Sequence, residues 1–247
     1  MSSLTELRIK IFADGADLNQ MAEQATNPLI RGWTTNPTIC RKAGVTDYEA
    51  FARAAAKIVG DRPLSLEVFA DDLSGMEQQA RVIAGWGPTV NVKIPITNTK
   101  GEFTGPIIKR LAGDGIKLNI TAMFTVAQVV KASRAMDSAP GYLSIFAGRI
   151  ADTGQDPEIT IRSARGVCPQ AQKLIWASPR EVLNIWQASA SGCDIITVSP
   201  DLLSKLSLVD KSLDEFSLDT VKMFHSDAQK AGYVIAGPAS YGGSSFG

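Results

Sequence analysis

Short runs of β-branched and aromatic residues alternate with amphipathic segments along most of the chain. The runs have the length of buried strands, and about 20 to 30 residues separate the start of one run from the next, which is the length of one strand–helix unit. The eight runs are Arg8 to Ala13, Gly32 to Thr35, Leu64 to Phe69, Val90 to Ile96, Lys117 to Thr121, Tyr142 to Ala147, Lys173 to Ala177 and Asp194 to Val198. This pattern predicts eight parallel strands, each followed by a helix.

The segments between the runs carry apolar residues at helical spacing, and several begin at a residue that caps helices. Predicted helices include Asp47 to Val59, Leu73 to Ala84, Thr125 to Met136 and Pro179 to Ala190, and predicted caps include Asp47, Asp72, Thr125, Ser178 and Ser199. Because no Gly-, Ser- or Pro-rich linker interrupts the units before residue 200, we expect a single (β/α)8 barrel. A doubly wound open sheet is the alternative that this alternation leaves open.

The chain continues beyond the eighth run. Asp201 to Leu206 is predicted to be the short last helix of the barrel, and Ser217 to Ala231 an extra amphipathic C-terminal helix. We therefore expect residues 1–233 to form the barrel with its C-terminal helix. Residues 234–247 are rich in Gly and Ser, a composition typical of a flexible tail.

Composition excludes several classes of function. The 25 basic and 25 acidic residues cancel, so nothing predicts binding to nucleic acid or to an anionic membrane. No apolar run reaches the roughly 20 residues of a membrane span, and the first residues lack the order of a signal peptide, so we expect a soluble, cytoplasmic protein. Cys40, Cys168 and Cys193 are too scattered for a disulfide framework or a metal cage. With His225 the single histidine, any acid–base catalysis must use other residues.

One charged residue interrupts the fourth run. Lys93 stands between Val92 and Ile94 in a segment that should be a buried strand. Such a lysine is usually paired with a carboxylate, exposed at a sheet edge, or used as a nucleophile. Glu67, in the third run, is a candidate partner for a plain buried ion pair.

Polar residues recur near the ends of seven runs. In a barrel, alternate strand residues point inward and chemistry collects at the carboxyl ends of the strands. The residues at these positions are Asp14, Asn36, Glu67, Lys93, Asn119, Thr121, Ser144, Ser178 and Arg180, joined by Phe146. Each has an ordinary structural explanation when taken singly, such as a helix cap or a turn. Together they predict a polar barrel mouth.

This set of side chains allows a defined chemistry. An unprotonated lysine amine attacks a carbonyl to give a Schiff base, and the iminium permits cleavage of a neighbouring carbon–carbon bond. Asp14 and Glu67 supply carboxyl groups for the proton transfers. Two arginines and a serine near the last strands, Arg149, Arg180 and Ser178, suit a phosphate group. For Arg149, an ion pair with nearby Asp152 is the structural alternative. For the whole set of side chains, the alternative is a non-catalytic barrel that binds a sugar phosphate.

With these motifs in view, the sequence resembles the transaldolase family. The matching stretches run in family order from about residue 8 to about residue 206: Phe12-Ala13-Asp14, Thr34-Thr35-Asn36-Pro37-Thr38, Val92-Lys93-Ile94-Pro95, Asn119-Ile120-Thr121 with Phe124-Thr125 and Gln128, Ser144 to Ile150, Ala177 to Arg180, and Ile196 to Pro200. The Thr-Thr-Asn-Pro and Val-Lys-Ile-Pro elements are specific to the family.

The resemblance implies a class I aldolase-type barrel in which Lys93 forms the Schiff base and no metal or organic cofactor is needed. By the same comparison Asp14 resembles the residue that deprotonates the C4 hydroxyl, and Glu67 and Thr121 resemble the pair that positions a catalytic water. Asn36, Asn119 and Ser144 match binders of the dihydroxyacetone unit, and Arg149, Ser178 and Arg180 match the phosphate site. The implied partners are sugar phosphates and, as family barrels commonly assemble, further copies of the chain.

The resemblance also separates two reactions. Transaldolases move a dihydroxyacetone unit between sugar phosphates of the pentose phosphate pathway, whereas short-chain relatives act as fructose 6-phosphate aldolases that release free dihydroxyacetone. In those aldolases a glutamine resembles Glu67 and a tyrosine resembles Phe146. The glutamate and phenylalanine of this chain are similar to those of transaldolases, and the aldolase reaction is the alternative. Ile145, where many relatives have proline, and the loop from Thr97 to Phe103 depart from the family pattern.

Overall fold

Eight parallel strands close into one barrel in the computed structural model, which describes residues 8–235. The strands are β1 (Lys10–Asp14), β2 (Ile30–Thr34), β3 (Leu64–Glu67), β4 (Val90–Pro95), β5 (Leu118–Met123), β6 (Gly141–Ile145), β7 (Gln172–Trp176) and β8 (Ile195–Val198). Each pairs with the next strand in the sequence, and β1 pairs in parallel with β8. The predicted (β/α)8 barrel is confirmed, and the β1–β8 pairing excludes an open sheet.

Helices follow the strands along the sequence. They are α1 (Leu18–Ala25), α2 (Pro37–Lys42), α3 (Tyr48–Val59), α4 (Leu73–Ala84), α5 (Gly105–Gly113), α6 (Val126–Ala135), α7 (Ala147–Ala151), α8 (Pro157–Val167), α9 (Asn184–Ala190), α10 (Pro200–Ser204) and α11 (Leu213–Ala231), and a 3-10 turn spans Lys205–Leu208. Three predicted caps are confirmed, because Asp47, Asp72 and Thr125 accept backbone hydrogen bonds at the starts of α3, α4 and α6.

The predicted helix from Pro179 is wrong at its start, since α9 begins only at Asn184. Ser178 has a φ of 60°, in the left-handed region, and therefore does not cap a helix there. The Asn184 side-chain oxygen instead accepts the backbone N–H groups of Arg180 and Glu181 at 2.7 and 3.1 Å. These bonds hold the segment after β7 as an irregular turn.

Layers of side chains fill the barrel interior. Phe12, Ile175 and Ile195 form a buried cluster against which Tyr142 packs. Gly32 belongs to the same layer, because a Cβ atom there would lie 2.6 Å from the Phe12 ring. Since strand side chains alternate in direction, residues two positions further along point into the same interior one layer higher. The apolar layer is thus the floor beneath the polar mouth.

Two compact units make up the chain, one ending at Lys205 and the other beginning at Leu206. The second contains α11, which begins at Leu213, four residues before the predicted start, because Ser212 caps it. Gly232, with a φ of 66°, ends this helix in the left-handed conformation. The predicted flexible tail falls largely on residues 236–247, which lie outside the described residues.

Candidate active site

Lys93 lies inside the barrel and has two oxygen partners. Its Nζ is 3.1 Å from Glu67 Oε2 and donates to the Thr35 carbonyl oxygen at 2.6 Å, and the residue is only 5% exposed. The register explains this meeting, because Glu67 on β3 stands directly opposite Lys93 on β4. The buried ion pair considered from the sequence is therefore present. A carboxylate this close to the amine is also placed to accept its proton.

Asp14 faces the same interior and sits in a hydrogen-bonded group. Its Oδ1 accepts from the Thr34 hydroxyl at 2.7 Å, and that hydroxyl also contacts the hydroxyl of Thr197 on β8. Burial raises the pKa of Asp14 above its usual value, against the opposing effects of the Lys93 charge and the Thr34 hydrogen bond. A carboxyl group that is more easily protonated than usual is suited to exchange protons with a substrate.

A line of buried polar side chains crosses the next strands. Asn119 donates from Nδ2 to Ser65 Oγ at 3.0 Å and accepts at Oδ1 from the Ser144 hydroxyl at 2.7 Å. The Thr121 hydroxyl, two residues after Asn119 on β5, is buried and has no hydrogen-bond partner among the described residues. Because buried hydroxyls are nearly always hydrogen-bonded, this group requires a water or a ligand.

Asn36 follows β2 and caps α2. Its Oδ1 accepts the backbone N–H of Ile39 at 3.0 Å, which fixes the orientation of the side chain. With this oxygen committed to the cap, the NH2 group is the part of the side chain that can reach a ligand. The cap and a binding role are therefore compatible.

The predicted phosphate residues gather beside β6 and β7. The Arg149 guanidinium lies 5.1 Å from the centre of the Phe146 ring, which in turn lies 5.6 Å from Phe124. Asp152 forms an ion pair with Arg180, with Nε to Oδ1 at 2.9 Å. The predicted structural partner for Arg149 is thus taken by Arg180. Hydrogen bonding from Arg180 lowers the pKa of Asp152, and the charge of Arg149 adds to this effect.

A close backbone approach places Ser178 beside α7. A Cβ atom on Gly148 would lie 1.5 Å from the Ser178 carbonyl oxygen, so only glycine fits there. The Gly148 N–H also donates to the Ala177 carbonyl at 3.3 Å. Contact between these backbones brings the turn that carries Ser178 and Arg180 next to the helix that carries Arg149.

The loop after β4, from Thr97 to Phe103, borders a cavity of about 490 Å³. Thr97 and Phe103 close this loop by an antiparallel bridge, and Asp71 holds it from the β3 side through the N–H and hydroxyl of Thr99 at 2.8 and 2.6 Å. The cavity lining includes Val68, Phe69, Met76 and Pro95. It therefore opens beside the ends of the strands that carry Glu67 and Lys93.

The sequence prediction missed several residues of the site. Ser65 stands two positions before Glu67, and this alternation within the third run is the signal that would have found it. Thr34 and Thr197 lie in quoted motifs but carried no assigned role. The Thr35 carbonyl had no signal, because a backbone oxygen that accepts from a side chain leaves no trace in the sequence.

The described residues contain neither a metal cluster nor a membrane-spanning helix. Across residues 8–235, no group of three or more His, Cys, Asp or Glu side chains could hold a metal ion. No helix in this part of the chain is long and apolar enough to cross a membrane. All three cysteines are buried and free.

Comparison with known proteins identifies the family. Residues 11–235 match the transaldolase/fructose-6-phosphate aldolase family. The chain belongs to this family. Its relatives include "Probable transaldolase 2" of Listeria monocytogenes, 34% identical over 85% of this chain and 95% of that protein, and "Probable transaldolase" of Methanococcus maripaludis, 33% identical over 85% of this chain and 97% of that protein. The protein is therefore an aldolase-type enzyme, as the resemblance implied.

A solved structure supports the fold independently. "QR15, an Aldolase" matches 83% of this chain and 99% of its own, with a TM-score of 0.55 and 12% identity. At that level of identity the likeness concerns the barrel alone.

Proposed function

We propose that this family member is a transaldolase that uses Lys93 as its Schiff-base nucleophile. It transfers a dihydroxyacetone unit from a ketose phosphate, fructose 6-phosphate or sedoheptulose 7-phosphate, to an aldose phosphate, erythrose 4-phosphate or glyceraldehyde 3-phosphate. The observation that carries the proposal is the buried Lys93 amine, 3.1 Å from the Glu67 carboxylate. The names of the relatives, "Probable transaldolase 2" and "Probable transaldolase", agree with it.

Imine formation is the first step. Lys93 gives a proton to Glu67 and its amine adds to the C2 carbonyl of the ketose; loss of the resulting C2 hydroxyl as water leaves the iminium. Glu67 supplies the proton for the departing water. Thr121 holds this water, because its hydroxyl is buried and has no hydrogen-bond partner within residues 8–235. The same pair adds water back at the end of the cycle and releases the lysine.

Carbon–carbon cleavage uses the second carboxyl group. Asp14 takes the proton of the C4 hydroxyl, the C3–C4 bond breaks, and its electron pair passes into the iminium to give an enamine. The aldehyde of the first aldose leaves. An acceptor aldehyde then takes its place, the bond forms in reverse, and Asp14 returns the proton. The raised pKa of Asp14 favours this exchange of a proton with an alcohol.

The remaining polar residues bind substrate in this proposal. Asn36, Asn119 and Ser144 hold the hydroxyl groups of the dihydroxyacetone unit, and Phe146 forms a wall beneath the Arg149 guanidinium. Arg149, Ser178 and Arg180 bind the phosphate. For Arg180 the phosphate competes with Asp152, so Arg149 provides the stronger attraction for an incoming anion.

Chemical trapping tests the nucleophile. Borohydride reduction in the presence of fructose 6-phosphate should attach a three-carbon adduct to Lys93, read by peptide mass spectrometry, and Lys93→Ala should carry none. An unlabelled Lys93 in active enzyme would refute the mechanism. If Lys93→Ala keeps its activity, the lysine is not catalytic.

Turnover with and without an acceptor separates the two family reactions. We expect the wild type to need an aldose phosphate acceptor, because Glu67 is a carboxylate that exchanges protons at each half-reaction. Glu67→Gln should lower transfer and raise the share of free dihydroxyacetone. Release of dihydroxyacetone by the wild type at the same rate without any acceptor would favour the aldolase.

A further inference from the structure

The hydrogen-bond ladder between β2 and β3 lacks one bond at Thr35, the residue whose carbonyl Lys93 contacts; we call this place the opening. The two strands pair at Trp33 with Leu64 and at Thr34 with Ser65, and the Thr35 N–H still donates to the Ser65 carbonyl at 3.1 Å. In a regular parallel ladder the next bond would run from the Glu67 N–H to the Thr35 carbonyl. That bond is replaced by two others.

The two groups that the ladder leaves unpaired have new partners. The Glu67 N–H donates to the Tyr48 hydroxyl oxygen at 2.9 Å, and the Thr35 carbonyl accepts from Lys93 Nζ at 2.6 Å. The Tyr48 hydroxyl on α3 thus replaces the Thr35 carbonyl as the acceptor for the Glu67 N–H. The Thr35 carbonyl is then available to Lys93. Both backbone groups of the missing ladder bond at the opening, the Glu67 N–H and the Thr35 carbonyl, therefore have a partner.

Aromatic packing fixes the phenol in this position. The Tyr48 ring centre lies 4.5 Å from that of Phe69 and 5.5 Å from that of Trp86, and α3 begins at Tyr48 directly after its Asp47 cap. Burial raises the pKa of Tyr48, so the hydroxyl stays protonated at neutral pH. Because both ring neighbours and the helix start constrain it, the hydroxyl oxygen is a preorganised acceptor.

We propose that Tyr48 is a positioning residue for the reaction: by accepting the Glu67 amide it keeps the Thr35 carbonyl free to hold Lys93 Nζ beside the Glu67 carboxylate. This inference rests on the proposed Schiff-base role of Lys93. Without the phenol, the Glu67 N–H turns to the Thr35 carbonyl, the ladder closes by one bond, and Lys93 loses one of its two oxygen partners. Tyr48 itself touches no substrate.

The test is Tyr48→Phe, with Tyr142→Phe as the matched control. Both changes remove one hydroxyl and keep the ring, and the Tyr142 ring packs edge-on against Phe12 in the floor of the barrel, 6.0 Å away between centres. We expect Tyr48→Phe to lower kcat and the rate of borohydride trapping about tenfold, because the nucleophile is misplaced. The KM for fructose 6-phosphate should stay within about twofold, since no binding residue changes. Tyr142→Phe should match the wild type in kcat.

A crystal structure of Tyr48→Phe provides a readout that is independent of activity. The expected result is a Glu67 N–H to Thr35 carbonyl hydrogen bond and a Lys93 Nζ displaced from that carbonyl. An unchanged kcat, or Lys93 still bonded to Thr35 in a folded variant, would overturn the positioning role. If wild-type Lys93 gives no borohydride adduct, the proposed function fails, whereas the crystal structure still decides whether Tyr48 controls the exchange of hydrogen bonds.

Discussion

The two ends of the barrel both contain charged side chains that are at least partly buried, but they use them differently. At the amino end of the strands, Asp194 accepts from Arg165 at 3.0 Å and from the Leu174 N–H at 2.9 Å, and Lys173 lies 3.3 Å away. Arg165 donates in addition to the carbonyls of Cys168, Pro169 and Gln172. These bonds tie α8 to the starts of β7 and β8.

At the carboxyl end the charged groups have fewer partners. Lys93 bonds to Glu67 and to one carbonyl, and the Thr121 hydroxyl has no partner among the described residues. Burial raises the pKa of Asp14, so its ionised form is disfavoured there. Buried polar atoms without a hydrogen-bond partner among the described residues occur at both ends, since Arg165 Nε and Gln172 Oε1 at the amino end also lack one. What sets the carboxyl end apart is a carboxyl group with a raised pKa beside a buried lysine, which costs stability and suits proton transfer. In the proposed function the amino end therefore stabilises the fold, and the carboxyl end carries out the chemistry.

The largest effect should come from Lys93→Met at the carboxyl end. Activity should fall by at least about a thousandfold, because in the proposed mechanism Lys93 is the amine that forms the imine. The variant should remain folded by circular dichroism, since methionine fills the space of the lysine stem. Lys173→Met, at the other end, should keep near wild-type activity. Equal loss of activity in both variants would erase the distinction between the ends.

Arg165→Met should produce the largest loss of stability. Removing the guanidinium takes away the closest charged partner of Asp194 and all four hydrogen bonds that Arg165 donates, at a cost of about 3 kcal/mol in the free energy of unfolding. Urea unfolding of the variant and the wild type measures this change in the free energy of unfolding. Arg162→Met on the same helix is the control, because its exposed pair with Glu158 is worth about 0.5 kcal/mol or less. The folded fraction of Arg165→Met should turn over substrate normally, and a selective loss of kcat would contradict this assignment.

Asp14→Asn should trade activity for stability. We expect kcat to fall about a hundredfold and the free energy of unfolding at pH 7 to rise by about 1 kcal/mol. Because the folded pKa of Asp14 lies above the usual 3.8, wild-type stability is lost as pH rises from that value through the folded pKa. The advantage of the variant should thus be small near pH 4 and grow toward pH 7. A difference that is constant with pH would show that ionisation of Asp14 is not its source.

The smallest effect should come from a surface network that belongs to neither end. Arg110 on α5 and Arg81 on α4 lower the pKa of Glu77 on α4 to about 2 through hydrogen bonds. Solvent screens these pairs, so Glu77→Gln should cost only about 0.5 kcal/mol. The cost is present above the usual pKa of 4.5 and disappears as pH falls toward 2. Thermal unfolding at pH 7 and at low pH checks this sign, and activity should be unchanged.

The pattern of apolar residues sufficed for much of the architecture. All eight strands were located from β-branched runs, and α4 was predicted with the bounds that it has, Leu73–Ala84, because its cap and its helical spacing are local signals. The start of α9 could not be predicted. Pro179 imitates a first helical residue, and the Asn184 side chain that instead holds the turn acts across the loop.

The candidate site likewise has features that local sequence signals predict and features that depend on contacts across the fold. The sequence by itself determined that Lys93, Glu67 and Asp14 would share a barrel mouth, because alternation along strands and the order of the units are local properties. Only the tertiary structure decided their partners: the Thr35 carbonyl for Lys93, the Tyr48 hydroxyl for the Glu67 amide, and Arg180 for Asp152. Each of these bonds joins different elements, and the first two also depend on a ladder bond between β2 and β3 that is not formed. Such choices arise only when the whole barrel closes.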